Sequence, residues 1–214
     1  LFDAHSPYEP PAPYDRVHYA KGKDPRDPSR RLQYPGRFLP LTMRGITDMD
    51  WPTAQYRGEI DFMDSQLATI LEQPRFANGV TAFSADHGES FGAHGIYWDH
   101  AGLYPDTVHV PLILSWPDGP AGVSTSAPAR QLDLGRTLLN LAGLEGVAFP
   151  GRDLRWTLDA PEDELPRFAL SSHGYSASIS KDGWFCVLNL RDHQMTTETV
   201  PFVAHSLELY HRER

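Results

Sequence analysis

The sequence predicts an α/β fold, and three observations support this. Two short apolar runs, residues 80–84 and 108–116, are typical of buried strands. Segments with apolar residues at helical spacing lie between and around them, and strands that alternate with helices favour a parallel or mixed sheet. Near the C terminus, the Asp182-Gly183 pair separates two further β-prone runs and predicts a two-residue hairpin.

Two helices are predicted from spacing and from the residues at their ends. Pro52 suits a first helical turn, and apolar residues recur every three or four positions before Pro74. We expect one face of this helix to pack on a sheet. Its apolar positions are Tyr56, Ile60, Met63, Leu67, Ile70 and Leu71. A second leucine-rich helix ends at Gly143, the residue type favoured just past a helix end.

The remaining stretches suggest how the chain is organised. Residues 6–52 are rich in proline, which removes backbone donors and disfavours helix, so this stretch is predicted to be a long ordered loop. After Pro161 the sequence changes to short β-prone runs broken by glycine. We therefore predict an α/β portion over residues 1–161 and a small antiparallel subdomain, incomplete here, over residues 162–214.

Composition argues against several functions. The 214 residues carry a net charge of −9, which repels nucleic-acid phosphates, so a nucleic-acid partner is not expected. We expect no membrane span, because the sequence has no apolar run of about 18 residues. The single cysteine, Cys186, excludes an internal disulfide.

The most informative stretch follows the first predicted strand, where polar residues gather. Asp86, His87 and Glu89 come directly after the strand, and His94 and His100 follow in a glycine-rich segment. Open α/β sheets place their ligands at the carboxyl ends of strands. Adjacent carboxylate and imidazole groups can each donate one atom to a metal, and Gly88 permits a tight turn. From the residues alone, a metal site and a solvated polar loop both remain open.

Several motifs, in the same order, resemble the sulfatase family of the alkaline phosphatase superfamily. The central ones are Asp-His-Gly-Glu at residues 86–89 and a Gly-x-His-Gly step at residues 92–95. Around them lie Phe-Asp-Ala-His-Ser-Pro at residues 2–7, a Tyr-x-x-x-Ile-x-x-x-Asp helix at residues 56–64, Val-Pro-Leu-Ile at residues 110–113, Asp-x-x-x-Thr-Leu-Leu at residues 133–139 and Pro-Gly-Arg at residues 150–152. The resemblance covers nearly the whole chain.

This resemblance implies an alkaline-phosphatase-like mixed sheet flanked by helices, with a divalent cation, usually calcium, at the active site. Asp86 and His87 match the family's metal-binding pair. His5 matches the histidine that contacts the sulfate or the leaving oxygen. His100 falls where many sulfatases carry a sulfate-contacting lysine, and the substitution makes that role titratable. Glu89 is expected either to support a ligand or to lie on the surface.

His94 is expected to serve loop structure rather than catalysis. The family's nucleophile, a formylglycine made within a Cys/Ser-x-Pro/Ala-x-Arg motif, has no counterpart in this chain. The resemblance therefore implies a metal-dependent sulfuric ester hydrolase represented by its C-terminal part, inactive without the missing N-terminal half. Its substrate would be a sulfated sugar or small molecule. Two alternatives remain, a phosphate or phosphonate ester hydrolase using Mn²⁺ or Zn²⁺ and a non-catalytic binding module.

Overall fold

A computed structural model describes residues 1–32, 43–159, 166–171, 174–193 and 201–211. The predicted domain boundary between residues 161 and 162 lies outside the described residues. The chain forms two compact units, each assembled from separate stretches of sequence. The first comprises Leu1–Gln73, His87–His109 and Asp192–Phe202, and the second comprises Pro74–Asp86, Val110–Arg191 and Val203–Arg214.

Helices and strands are interspersed up to residue 141, and four strands follow in the C-terminal part. The helices are α1 (Asp50–Leu71), α2 (Pro74–Ala77), α3 (Pro105–Val108) and α4 (Gln131–Leu141). The strands are β1 (Thr81–Ser84), β2 (Ser90–Phe91), β3 (Tyr97–Asp99), β4 (Leu112–Ser115), β5 (Arg167–Leu170), β6 (Ser176–Lys181), β7 (Trp184–Asn189) and β8 (Leu207–His211). All strand pairs formed by these described elements are antiparallel.

The long helix α1 forms where the apolar spacing predicts it, but a different face is buried. Ile60 and Leu71 are exposed, whereas Gln55, Gly58 and Glu59 are buried. This buried face packs mainly on the proline-rich loop, whereas Tyr56, one of the predicted apolar positions, packs on Phe91 of β2 with ring centroids 4.9 Å apart. A Cβ at Gly58 would lie 2.5 Å from the backbone oxygen of Tyr14, so only glycine permits this close approach. Gln55 on this face donates to the Asp15 carbonyl at 2.7 Å, and one carboxylate oxygen of Glu59 accepts from the loop backbone.

The first unit also contains a small hairpin, in which β2 pairs with β3. Ser90, the first residue of β2, is buried, and its hydroxyl donates to the carbonyl of Ile96 at 3.0 Å. A hydrophobic core backs this hairpin. It consists of Tyr8, Met43, Ile46 and Trp98, with Met49, Trp51, Tyr56, Phe91 and Tyr97 packed around them. This core therefore fixes the position of the hairpin and of the residues that flank it.

In the second unit, β1 pairs with β4 from Thr81↔Ser115 to Ser84↔Leu112. The predicted second strand, residues 108–116, was too long, because β4 covers only Leu112–Ser115 and Val108 is the last residue of α3. Proline at the first helical position starts this turn, and the Thr107 hydroxyl donates back to the Tyr104 carbonyl at 3.0 Å. The prediction that the strand is buried was also wrong, since Ile113 on β4 is 63% exposed.

Helix α4 begins at a reciprocal cap. The Asp133 carboxylate accepts from the Arg130 backbone and guanidinium and from the Arg152 backbone amide. Thr137, fully buried, accepts from the Leu154 amide at 2.7 Å. Gly143, with φ of +73°, follows the helix end as predicted.

The C-terminal strands form a four-stranded antiparallel sheet in the order β5-β6-β7-β8. Asp182 and Gly183 connect β6 to β7 with φ of +50° and +77°, which confirms the predicted two-residue hairpin. One face of the sheet is buried, with Phe185 and Val187 at its centre. Cys186 lies on the opposite face, where it is partly exposed rather than buried as its apolar neighbours suggest.

Candidate active site

His5 lies in the segment before the proline-rich loop. Its backbone amide donates to the Phe2 carbonyl at 3.1 Å, and its ring nitrogen Nδ1 donates to the Ser6 carbonyl at 2.8 Å. A carbonyl oxygen can only accept, so the proton is on Nδ1. In the neutral ring, Nε2 then carries the lone pair.

His87 is placed by the glycine that follows it. The Gly88 amide donates to the Thr107 carbonyl at 2.8 Å, and any Cβ at position 88 would overlap the backbone oxygen of Asp106. Glycine is therefore required here because another backbone passes in contact. The ring of His87 donates from Nδ1 to the Gly88 carbonyl at 2.9 Å, so His87 presents Nε2 in the same way as His5.

His100 follows β3 directly. Its backbone amide donates to the Asp99 carboxylate at 2.7 Å, and its ring nitrogen Nδ1 lies 3.9 Å from the same oxygen. The side chain of His100 is 41% exposed. The short hairpin thus holds the backbone of this histidine while its ring reaches solvent.

These three histidines, from three separate motifs, come together within the first unit. The rings of His87 and His100 stack with centroids 3.8 Å apart, and the ring of His5 lies 5.5 Å from His100 and 5.8 Å from His87. One ligating atom from each lies within 4.8 Å of the others. Convergence of residues 82 and 95 positions away from the first is the arrangement a site built from loops produces.

The other predicted residues have different surroundings. Asp86 is exposed and is not a member of the three-histidine cluster. His94 stacks on buried Tyr104 at 3.9 Å with nearly parallel rings, and its φ is +55°. This stacking contact holds the His94 ring against Tyr104 within the glycine-rich segment.

Glu89 and two residues not singled out by the sequence form a buried polar set beside the histidines. Tyr8 and Glu59 are each 4% exposed. Among the described residues, the Tyr8 hydroxyl, Glu59 Oε2 and Glu89 Oε1 are buried without a hydrogen-bond partner, although Tyr8 lies beside Glu89. The other oxygen of Glu59 accepts from the Glu9 amide at 2.7 Å. This bond ties α1 to the segment that carries His5.

Burial controls the ionisation of this polar set. Removal from water raises the pKa of Glu59 to about 7, against the opposing effect of the Glu9 amide. The pKa values of Glu89 and of Tyr8 are also raised, again chiefly by burial. In the sequence, Glu59 is a helical glutamate that directly precedes an apolar residue. Such glutamates are too common for this position alone to predict burial.

The donor chemistry of the cluster can be compared with the expected cation. Calcium takes six to eight oxygen ligands, whereas the three clustered side chains offer imidazole nitrogen. The cluster alone therefore does not fit calcium. Imidazole suits zinc, copper and nickel.

The helices and strands define a protein of the α/β class. The Sulfatase family model matches residues 3–144, and the chain belongs to the sulfatase family. A relative, a sulfatase of Formosa agariphila, is 29% identical over 155 residues, which are 69% of this chain and 30% of that protein. The chain thus spans about a third of the length of this relative.

Solved structures share the fold. The phosphonate monoester hydrolase of Silicibacter pomeroyi superposes with a TM-score of 0.63 at 20% identity, covering 87% of this chain and 46% of that one. A protein solved in complex with its substrate D-glucosamine-2-N,6-O-disulfate superposes with a TM-score of 0.54 at 20% identity, covering 77% of this chain and 35% of that one. In the described residues, no helix combines the length and apolar character that a membrane crossing needs.

Proposed function

We propose that this chain forms part of the active site of a metal-dependent sulfuric ester hydrolase. The observation that carries the proposal is the convergence of His5, His87 and His100 within the first unit. Each comes from a motif that resembles the sulfatase pattern, and the chain belongs to that family. Family membership supports hydrolase chemistry, and the clustered imidazoles supply groups that this chemistry uses.

The proposed roles follow from the hydrogen bonds of each ring. Since Nδ1 of His5 donates to a backbone carbonyl, Nε2 can donate to a sulfate or leaving oxygen only when the ring is protonated. His5 is thus suited to act as a general acid toward the leaving group. His100, exposed and next to the Asp99 carboxylate, is the second proposed contact to the substrate anion.

Asp86 and His87, adjacent in the chain, are the proposed ligands of a divalent cation. Donation from Nδ1 to the Gly88 carbonyl orients the His87 ring and leaves Nε2 as the ligating atom. A bound cation would draw negative charge from the ester's non-bridging oxygens. Calcium is the proposed ion for a sulfate ester, completed by carboxylates outside this chain. Glu89 supports His87 from its buried position.

The nucleophile is proposed to lie outside these 214 residues, because they contain no Cys/Ser-x-Pro/Ala-x-Arg motif. The short share of the Formosa agariphila sulfatase that is matched, 30%, is consistent with this. The substrate is proposed to be a sulfated sugar or another small sulfate ester. One protein of similar fold has a disulfated glucosamine as its substrate, which supports the proposal of a sulfated sugar.

A second candidate is hydrolysis of phosphate or phosphonate esters with Mn²⁺ or Zn²⁺. Two observations favour it, the nitrogen donor of His87 and the fold shared with a phosphonate monoester hydrolase. A third candidate is a non-catalytic binding module, which would keep the histidine cluster and lack the nucleophile motif upstream.

One experiment separates the three candidates. The natural gene product that contains this chain is purified, its metal content is measured, and its hydrolysis of aryl sulfate, glucosamine sulfate and aryl phosphonate esters is compared. Calcium with preferential sulfate hydrolysis supports the first candidate. Manganese or zinc with preferential phosphonate hydrolysis supports the second, and no turnover of any ester supports the third.

A further inference from the structure

We propose that His5, His87 and His100 together bind a divalent transition metal of the zinc class, without help from Asp86 and without an ester substrate. This differs from the calcium site proposed above, both in the ion and in two of the ligands. The inference rests on the geometry of the histidine cluster and stands whether or not the proposed hydrolysis is correct.

The donor atoms of the cluster lie farther apart than the ligand atoms around a bound metal. One ligating atom of each histidine lies within 4.8 Å of the others. Zinc–nitrogen bonds of about 2.0–2.1 Å place tetrahedral ligand atoms about 3.4 Å apart, so the cluster must contract by about 1.4 Å at most. The change falls to His100, because its ring stacks on His87 at 3.8 Å and must turn its nitrogen toward the other two. Its 41% exposure leaves room for that rotation.

The hydrogen bonds of the rings match those of metal-binding histidines. Such histidines usually donate the second ring N–H to a backbone carbonyl or a carboxylate, which fixes the tautomer. His5 donates to the Ser6 carbonyl and His87 donates to the Gly88 carbonyl. His100 has the Asp99 carboxylate 3.9 Å from Nδ1. In two of the three rings Nδ1 is therefore engaged by a carbonyl, which assigns metal ligation to Nε2.

The class of ion follows from the donors. Three neutral imidazoles suit zinc, cobalt, nickel or copper, while calcium and magnesium prefer oxygen. With three protein ligands, the fourth position of a tetrahedral ion is left to water or an anion. If His5 and His100 also contact the substrate anion, a point that rests on the proposed function, a zinc-class ion would occupy the same imidazoles and compete with substrate.

Cobalt provides a direct test, because four-coordinate Co²⁺ absorbs visible light. The 214-residue chain is titrated with Co²⁺ and, by calorimetry, with Zn²⁺ in the absence of any ester. We expect one ion per chain, with visible absorption that excess Ca²⁺ does not reduce. His5→Ala and His100→Ala should each weaken Co²⁺ binding at least about tenfold. His109→Ala, which removes another exposed imidazole of the same unit, is the matched control and should bind as the wild type does.

A second measurement needs no variant. In the wild-type chain, Zn²⁺ should shift the ring resonances of His5, His87 and His100 and leave those of His109 unchanged. The inference is wrong if His100→Ala binds Co²⁺ with wild-type affinity, or if other histidine rings are the ones perturbed by Zn²⁺. Because no ester is present, neither result depends on whether the protein hydrolyses sulfate.

Discussion

The surroundings of the histidine cluster and the Asn189 network of the C-terminal sheet differ in how their buried polar groups are paired. Around the histidine cluster, the Tyr8 hydroxyl, Glu59 Oε2 and Glu89 Oε1 are buried without a hydrogen-bond partner among the described residues. In the C-terminal sheet, fully buried Asn189 accepts from the Ser176 hydroxyl at 2.8 Å and donates to Ser206 at 3.0 Å and Glu208 at 3.2 Å.

The difference separates a polar set whose ionisation depends on burial from a hydrogen-bonded network that joins neighbouring strands. A buried polar atom without a partner costs about 1–3 kcal/mol, so such atoms are rare unless a function retains them. A satisfied network in a sheet has the opposite effect, since it stabilises one arrangement of the strands. Substitutions at and next to the histidine cluster should therefore change activity or pH dependence, and substitutions in the Asn189 network should change the stability of the fold.

The largest expected effect is on catalysis. In the natural protein that contains this chain, Asp86→Ala should abolish ester hydrolysis and lower the content of the active-site cation. His5→Ala and His100→Ala should lower kcat/KM about 10²–10³-fold while that cation content is retained, because their proposed partner is the substrate anion. Ester-hydrolysis assays and metal analysis check this, with His109→Ala as the control.

Wild-type activity in the Asp86 variant would contradict the proposed site. Loss of the cation in the His100 variant would instead make His100 a ligand of the active-site cation.

The next effect is on the sheet. Asn189→Leu should lower the free energy of unfolding by about 2–3 kcal/mol, because it leaves the buried Ser176 hydroxyl without its acceptor. Chemical denaturation of the chain measures this. Lys181→Ala, on an exposed end of the same hairpin, should change stability by no more than about 0.5 kcal/mol. Equal losses in the two variants would show that the network contributes nothing specific.

A smaller effect concerns the ionisation of Glu59. Its pKa in the folded chain is raised from 4.5 to about 7, so the folded state holds this proton more tightly than the unfolded state. Stability from this group is full below about pH 4.5 and declines until about pH 7. Glu59→Gln keeps an oxygen for the Glu9 amide and cannot ionise. It should therefore be more stable than the wild type at pH 8, on the order of 2 kcal/mol, with no difference at pH 4.

Denaturation curves across this pH range, on wild type and variant, decide the matter. If the free energy of unfolding of the Glu59→Gln variant depended on pH as steeply as that of the wild type, other groups would be responsible for the pH dependence.

The smallest effect has the opposite pH sign and lies in the second unit. Burial opposes ionisation of Asp153, but hydrogen bonds from Arg155 and Asn140 prevail and lower its pKa to about 2. A depressed pKa contributes stability above about pH 4 that is lost as the pH falls toward 2. Asp153→Asn should lose about 1–2 kcal/mol at neutral pH and nothing near pH 2. Thermal unfolding at several pH values measures this, and a loss that persists at pH 2 would point to packing rather than charge.

Local patterns in the sequence were sufficient for much of the fold. The helical spacing before Pro74 predicts α1, the Asp-Gly pair predicts the β6–β7 hairpin, and Gly143 marks the end of α4. Each of these depends on residues close together in the chain. The same reasoning placed β1 correctly before Asp86 and extended the next strand too far, because it gave no weight to Pro105 as a helix start.

The sequence by itself singled out His5, His87 and His100 as candidate site residues, since they lie in motifs that resemble one family. Only the tertiary structure decided that these imidazoles meet within 4.8 Å. It also decided that Glu59 is the buried face of α1 and ties that helix to the segment of His5. Helical spacing reports which side chains share a face, but which face is buried depends on what packs against it. The proline-rich loop does so here, and no local pattern encodes its path.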